Sequence, residues 1–95
     1  MLVLSFAVPA KSALVSGRVY NQNGALVRNT TFTVQDSNRQ PVPGKDFQTD
    51  RSGTYGVYLE PGEYFVRAKE NDSKGEGVIK SYPQPVHQDI YLRAQ

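Results

Sequence analysis

The sequence predicts an all-β domain, a seven-stranded Greek-key sandwich. Three observations lead there. No window carries apolar residues at helical spacing for three turns. Short alternating stretches rich in Val, Tyr, Phe and Thr recur along the chain. Clusters of Gly, Pro, Asn and Asp separate those stretches, and no segment is long enough for a crossover helix.

The first strand spans 13–20, where Val15, Gly17 and Val19 share one face and Ser16 and Arg18 point away. Asn21-Gln22-Asn23-Gly24 ends it, with Gly24 in a turn that needs a positive φ. Residues 26–28 continue briefly, and 30–36 form a second strand with Phe32 and Val34 inward. The two prolines of 37–44 bar a central strand there, and a third strand follows at 46–50 with Phe47 and Thr49 in phase. Asp50-Arg51-Ser52-Gly53 makes a turn before strand 54–60.

Pro61-Gly62 is expected to close a hairpin between 54–60 and 63–69, with Leu59 opposite Tyr64, Tyr58 opposite Phe65 and Val57 opposite Val66. Alternation then assigns Tyr55, Val57, Leu59, Tyr64, Val66 and Ala68 to the core. After a polar loop from Glu70, strands are expected at 77–82 and 86–92, the latter with Ile90 and Leu92 in phase.

A chain of 95 residues with 38% hydrophobic and 21% charged residues makes one globular domain, at 13–95. The segment 1–12 is an apolar leader. It is too short to cross a bilayer as a helix, and it has the length of a signal-peptide core, with Val8-Pro9-Ala10 as a small-residue cleavage site. No Lys or Arg precedes the run; the alternative makes 2–8 an extra N-terminal edge strand. Export to the periplasm, cell surface or medium is the expectation.

A net charge of +2, scattered along the chain, gives no nucleic-acid footprint. With no cysteine, disulfides, thiolate metal sites and cysteine nucleophiles are all excluded. No cofactor is expected.

The residues Val15-x-Gly17-x-Val19, Gly24, Phe32-x-Val34, Thr49-Asp50-x-x-Gly53-x-Tyr55-x-Val57-x-Leu59-x-Pro61-Gly62-x-Tyr64-x-Val66 and Ile90-x-Leu92 resemble the carboxypeptidase regulatory-like, transthyretin-like β-sandwich domains of secreted and cell-envelope proteins. The match covers 15–92. It implies a transthyretin-like or immunoglobulin-like sandwich and an accessory, spacing or recognition role. Gly24, Asp50, Gly53, Pro61 and Gly62 are scaffold turns in that pattern. One enzyme on this fold, hydroxyisourate hydrolase, needs several histidines and a C-terminal Tyr-Arg-Gly-Ser. Here the chain ends Tyr91-Leu92-Arg93-Ala94-Gln95 and His87 stands alone, so no catalytic residue is assigned.

Asp36-Ser37-Asn38, Asp50-Arg51-Ser52 and Glu70-Asn71-Asp72 offer oxygens for calcium, but none has EF-hand spacing, and such residues belong in turns anyway. No metal is assigned. An isopeptide bond from Lys11, with Asp89 or Glu70 as the promoting acid, lacks an Asn in the last strand. Asn29-Thr30-Thr31 and Asn71-Asp72-Ser73 fit the glycosylation pattern.

The ligand or partner surface is expected at Tyr58 and Phe65, opposed on the outer face of the hairpin beside Arg67, with Tyr91 as an addition. Three functions compete. The leading one is a non-catalytic module of an exported or envelope protein that binds another protein. The second is a carbohydrate-binding module using the exposed aromatics on a polysaccharide, and the third a small hydrolase without a recognisable nucleophile. Edge strands also admit a homodimer.

Overall fold

The structure is a computed structural model and describes residues 12–69 and 75–94. Residues 1–11 of the leader, the alternative strand 2–8, Lys11, Glu70 and the triplet 71–73 lie outside the described residues.

Two sheets pack face to face, and no helix occurs among the described residues. In the first, β1 (Ala13–Tyr20) pairs antiparallel with β4 (Thr54–Leu59) and parallel with β7 (Val86–His87) and β8 (Ile90–Tyr91). In the second, the order is β3 (Phe47–Gln48), β2 (Thr31–Gln35), β5 (Gly62–Ala68) and β6 (Glu76–Ser81), all antiparallel. The expected seven strands are present, with the last divided into β7 and β8.

Alternation builds the core. Val15, Val19, Tyr55, Val57, Leu59, Ile90 and Leu92 from one sheet meet Phe32, Val34, Phe47, Tyr64, Val66, Ala68 and Ile79 from the other. Each fully buried Val, Leu, Ile or Phe contributes about 1.5–3 kcal/mol relative to exposure. Phe47 stacks on Phe32 within its own sheet and tilts against Tyr55 of the facing sheet, with ring centroids 5.3 and 5.0 Å away. The two layers thereby lock at one edge.

The hairpin expected at Pro61-Gly62 is overturned. Leu59, Tyr58 and Val57 pair with Ala13, Leu14 and Val15, whereas Tyr64 and Phe65 pair with Ile79 and Val78. The chain therefore crosses from one sheet to the other at Pro61-Gly62. An arch and a hairpin obey the same alternation, because each turns the inward residues of both arms toward one core. The core assignment of Tyr55, Val57, Leu59, Tyr64, Val66 and Ala68 holds, and the pairing does not.

Three turns share one device. Asn21 Oδ1 accepts from the N–H groups of Asn23 and Ala25, Asp36 Oδ1 from those of Asn38 and Gln40, and Asp50 Oδ1 from those of Ser52 and Thr54, at 2.8–3.0 Å. In each, a side-chain oxygen two and four residues upstream satisfies the loop backbone. Gly24 at φ 81° and Gly53 at φ 72° take the left-handed positions that follow. One oxygen of each carboxylate weighed for calcium, Oδ1 of Asp36 and of Asp50, is thus held by its own turn.

The break between β7 and β8 ties the sandwich together. Gln88 donates its N–H to Ser16 O at 2.7 Å, and its carbonyl accepts from the Tyr55 hydroxyl at 2.7 Å. Its side-chain amide bonds the backbone N–H and C=O of Lys80 in the opposite sheet. Asp89 Oδ1 accepts from the Arg18 N–H at 3.0 Å. Gly17 allows this approach, since a Cβ there would stand 2.0 Å from Gln88 O. Beyond β8, Arg93 exchanges both backbone hydrogen bonds with Glu76 at 2.9 Å, so the chain end leaves the first sheet and closes onto β6.

Candidate functional site

The outer face of the β4-β1-β7/β8 sheet carries the residues that alternation turns away from the core. Register places Tyr58 beside Leu14, Gly56 and His87 on either side of Ser16, Thr54 beside Arg18, and Tyr91 beside Tyr20. Tyr58 is 57% exposed and Tyr91 59%, which makes them the most exposed large apolar side chains described. Tyr20 and Tyr91 stack with centroids 5.2 Å apart and planes 11° from parallel.

The six-residue advance from Leu14 to Tyr20 puts Tyr58 and the Tyr20–Tyr91 pair about 20 Å apart along β1. Between them lies a concavity of about 440 Å³ lined by Ser16, Gly17, Arg18, Thr54, His87 and Asp89. His87 Nε2 is 3.3 Å from Asp89 Oδ1, and the imidazole stands out in solvent. The face thus has aromatic rings at both ends and hydroxyl, guanidinium, imidazole and carboxylate groups between. Rings of this kind offer apolar surface for the C–H face of a sugar, and the polar groups offer partners for its hydroxyls. Beneath the concavity, burial first and the Asp89 charge second push the Tyr55 phenol well above its usual range.

Of the four residues expected at the surface site, this face holds Tyr58 and Tyr91. Phe65 and Arg67 lie on the outer face of the other sheet, because β4 and β5 belong to different layers. The expected Tyr58–Phe65 pair is therefore split across the two faces of the domain. Phe65 is also covered, with the Arg39 guanidinium 3.9 Å above its ring. Arg67 Nε donates to Glu76 Oε2 at 2.9 Å, and Arg39 Nη1 donates to the same oxygen. Hydrogen bonds from Arg39 and then Arg67 hold the Glu76 carboxyl below its usual range against partial desolvation.

Tyr20, Arg18, His87 and Asp89 join this face without a local sequence signal that marks them as surface-site residues. Their outward phase was legible, since Tyr20 alternates with Val19 and Tyr91 with Ile90. Their convergence depends on parallel pairing of the first and last strands, which no local pattern encodes.

No family model matches the chain, and no curated protein matches its sequence. Solved structures do match, among them two that cover most of this chain. A DUF3823 family protein of Parabacteroides merdae superposes with TM-score 0.63 at 15% identity over 90% of this chain and 47% of its own. A Pseudomonas aeruginosa protein described as a candidate for carbohydrate binding superposes with TM-score 0.51 at 10% identity, over 87% of this chain and 90% of its own. The chain shares its fold with both. It spans about half the length of the Parabacteroides protein. No helix among the described residues is long and apolar enough to cross a membrane.

Proposed function

We propose that this domain is a non-catalytic carbohydrate-binding module whose outer β4-β1-β7/β8 face takes a glycan chain along β1. The observation that carries the reading is the placement of Tyr58 and the stacked Tyr20–Tyr91 pair at the two ends of one exposed face with the polar concavity between. A fold neighbour described as a candidate for carbohydrate binding supports it.

The test is retention in affinity electrophoresis across a panel of soluble polysaccharides, followed by titration calorimetry on the best ligand. Tyr91→Ala and Tyr58→Ala should each weaken binding about tenfold, the loss of one stacked ring worth about 1.4 kcal/mol, while melting temperature stays close to that of the parent. Binding untouched by both variants, or no retention by any polysaccharide, overturns the proposal.

A protein-binding spacer is the second reading, favoured by Val78, 55% exposed on the opposite face, with Tyr82 at 37%. Under it, Val78→Ser abolishes capture of the partner and leaves glycan retention unchanged.

We further propose export, from the apolar leader at residues 1–10. N-terminal sequencing of protein from fractionated native cells checks it. A chain beginning near Lys11 in envelope or medium supports export, and an intact Met1 in the cytoplasm overturns it.

A further inference from the structure

On the face opposite the tyrosines, two guanidinium groups converge on one carboxylate and a third arginine lines the same concavity. Arg39, Arg67 and Arg93 line a concavity of about 400 Å³ with Glu76, Val78 and Ala94. Arg39 and Arg67 both donate to the same Glu76 oxygen, Oε2. Among the described residues that line it, three positive charges stand against one negative. Each guanidinium carries five N–H donors in a planar fork. Among the described residues, the Nη groups of Arg67 and the guanidinium of Arg93 bond no acceptor.

The arrangement is built by the fold. Arg39 sits at φ 64°, a left-handed conformation that side chains other than glycine rarely adopt. The Asp36 turn holds it there, with the Arg39 N–H on Asp36 O at 2.9 Å and Asp36 Oδ1 bonding the N–H groups of Asn38 and Gln40. The guanidinium is then pressed on the Phe65 ring at 3.9 Å, which fixes its plane. Arg67 is set by β5, and Arg93 by the backbone bridge to Glu76. The three arginines thus come from a loop, a strand and the segment after β8; the Arg39 and Arg67 side chains are held by Phe65 and Glu76, and Arg93 is held through its backbone.

We propose that this cradle is a binding site for an oxyanion, a sulfate, phosphate or carboxylate group, held by Arg67 and Arg93 with Arg39 as its preset wall. Glu76 orients the Arg67 and Arg39 forks while neutralising only part of their charge. The site is independent of the glycan face and stands or falls separately from it.

The experiment is an NMR titration of the intact chain, following arginine Nε–Hε signals with sodium sulfate, phosphate and acetate in separate arms, ionic strength held constant with sodium chloride. A saturable shift at Arg67 is expected in at least one arm, and the arms separate a tetrahedral oxyanion from a carboxylate. Arg93→Gln should weaken that binding about fivefold with unchanged melting temperature, and Arg51→Gln, on the distant Asp50 turn, should leave it intact. Linear shifts shared by all anions would mean screening alone and overturn the proposal. A saturable shift that Arg93→Gln leaves unchanged overturns it as well.

Discussion

The hydroxyl of Tyr64 donates to the carbonyl of Glu60, 2.7 Å away and four residues upstream, at the point where the chain passes from one sheet to the other. A tyrosine bonded back across such a corner is a recurring fastening of Greek-key sandwiches. Pro61-Gly62 makes the turn, and the Tyr64 bond spans it. Tyr64→Phe keeps the ring in the core and removes only that bond. Stability should fall by about 1 kcal/mol, seen as a lower urea midpoint at unchanged slope. An unmoved midpoint would show that the Pro-Gly turn sets the crossing alone.

Gly17 and Gly24 should respond very differently to alanine. At Gly17 a Cβ meets Gln88 O at 2.0 Å and Gln88 C at 2.6 Å, backbone atoms that Tyr55 and Lys80 hold in place. Gly17→Ala is expected to cost about 3 kcal/mol or more. At Gly24 nothing lies within 4 Å and only φ 81° opposes a side chain, so Gly24→Ala costs about 1 kcal/mol. Parallel denaturation curves decide, and equal losses would refute the close approach as the cause.

The Glu76 pair gives the acid limb of the stability profile a specific component. Its carboxyl is held below the ordinary value of 4.5 by the Arg39 and Arg67 hydrogen bonds, so the folded state binds a proton less readily than the unfolded one. The stabilisation is complete above about pH 5 and is lost as the pH falls below 4.5 toward the folded value. With both arginines partly exposed, its size is about 1 kcal/mol or less. Glu76→Gln should therefore lower stability at pH 7 and converge with the parent near pH 2, and 1 M salt should shrink the gap.

Tyr55 predicts the opposite sign at high pH. Burial raises its phenol, so the neutral form is favoured by folding, and stability is full below pH 10 and declines as the pH rises above it. Alkaline spectrophotometric titration should show Tyr55 ionising only with unfolding. Tyr55→Phe should lose about 1 kcal/mol at pH 7 with the Gln88 bond and decline less steeply above pH 10. A phenol that titrates reversibly in the folded protein would contradict the buried placement.

Much of the fold was legible in the chain. The first strand spans 13–20 as expected, Gly24 and Gly53 hold their positive-φ turns, and the Asp50 turn leads into β4. What failed was the partner assigned to 54–60 and 63–69. Pro61-Gly62 suits a hairpin or an arch equally, and the error carried into the site by pairing Tyr58 with Phe65. Gln88 was equally silent, since a glutamine in a strand gives no sign that its amide will bridge to Lys80 in the other layer.

The sequence by itself determined which side of each strand is wet. Alternation is a property of the extended backbone, in which successive side chains point to opposite faces whatever lies beside them. Only the tertiary structure decided which wet sides share a surface. That depends on contacts far apart along the chain, the parallel seating of β7 and β8 on β1 and the crossing at Tyr64. Through them Tyr58, Tyr20 and Tyr91 came to one face, and Phe65, Arg67 and Glu76 to the other.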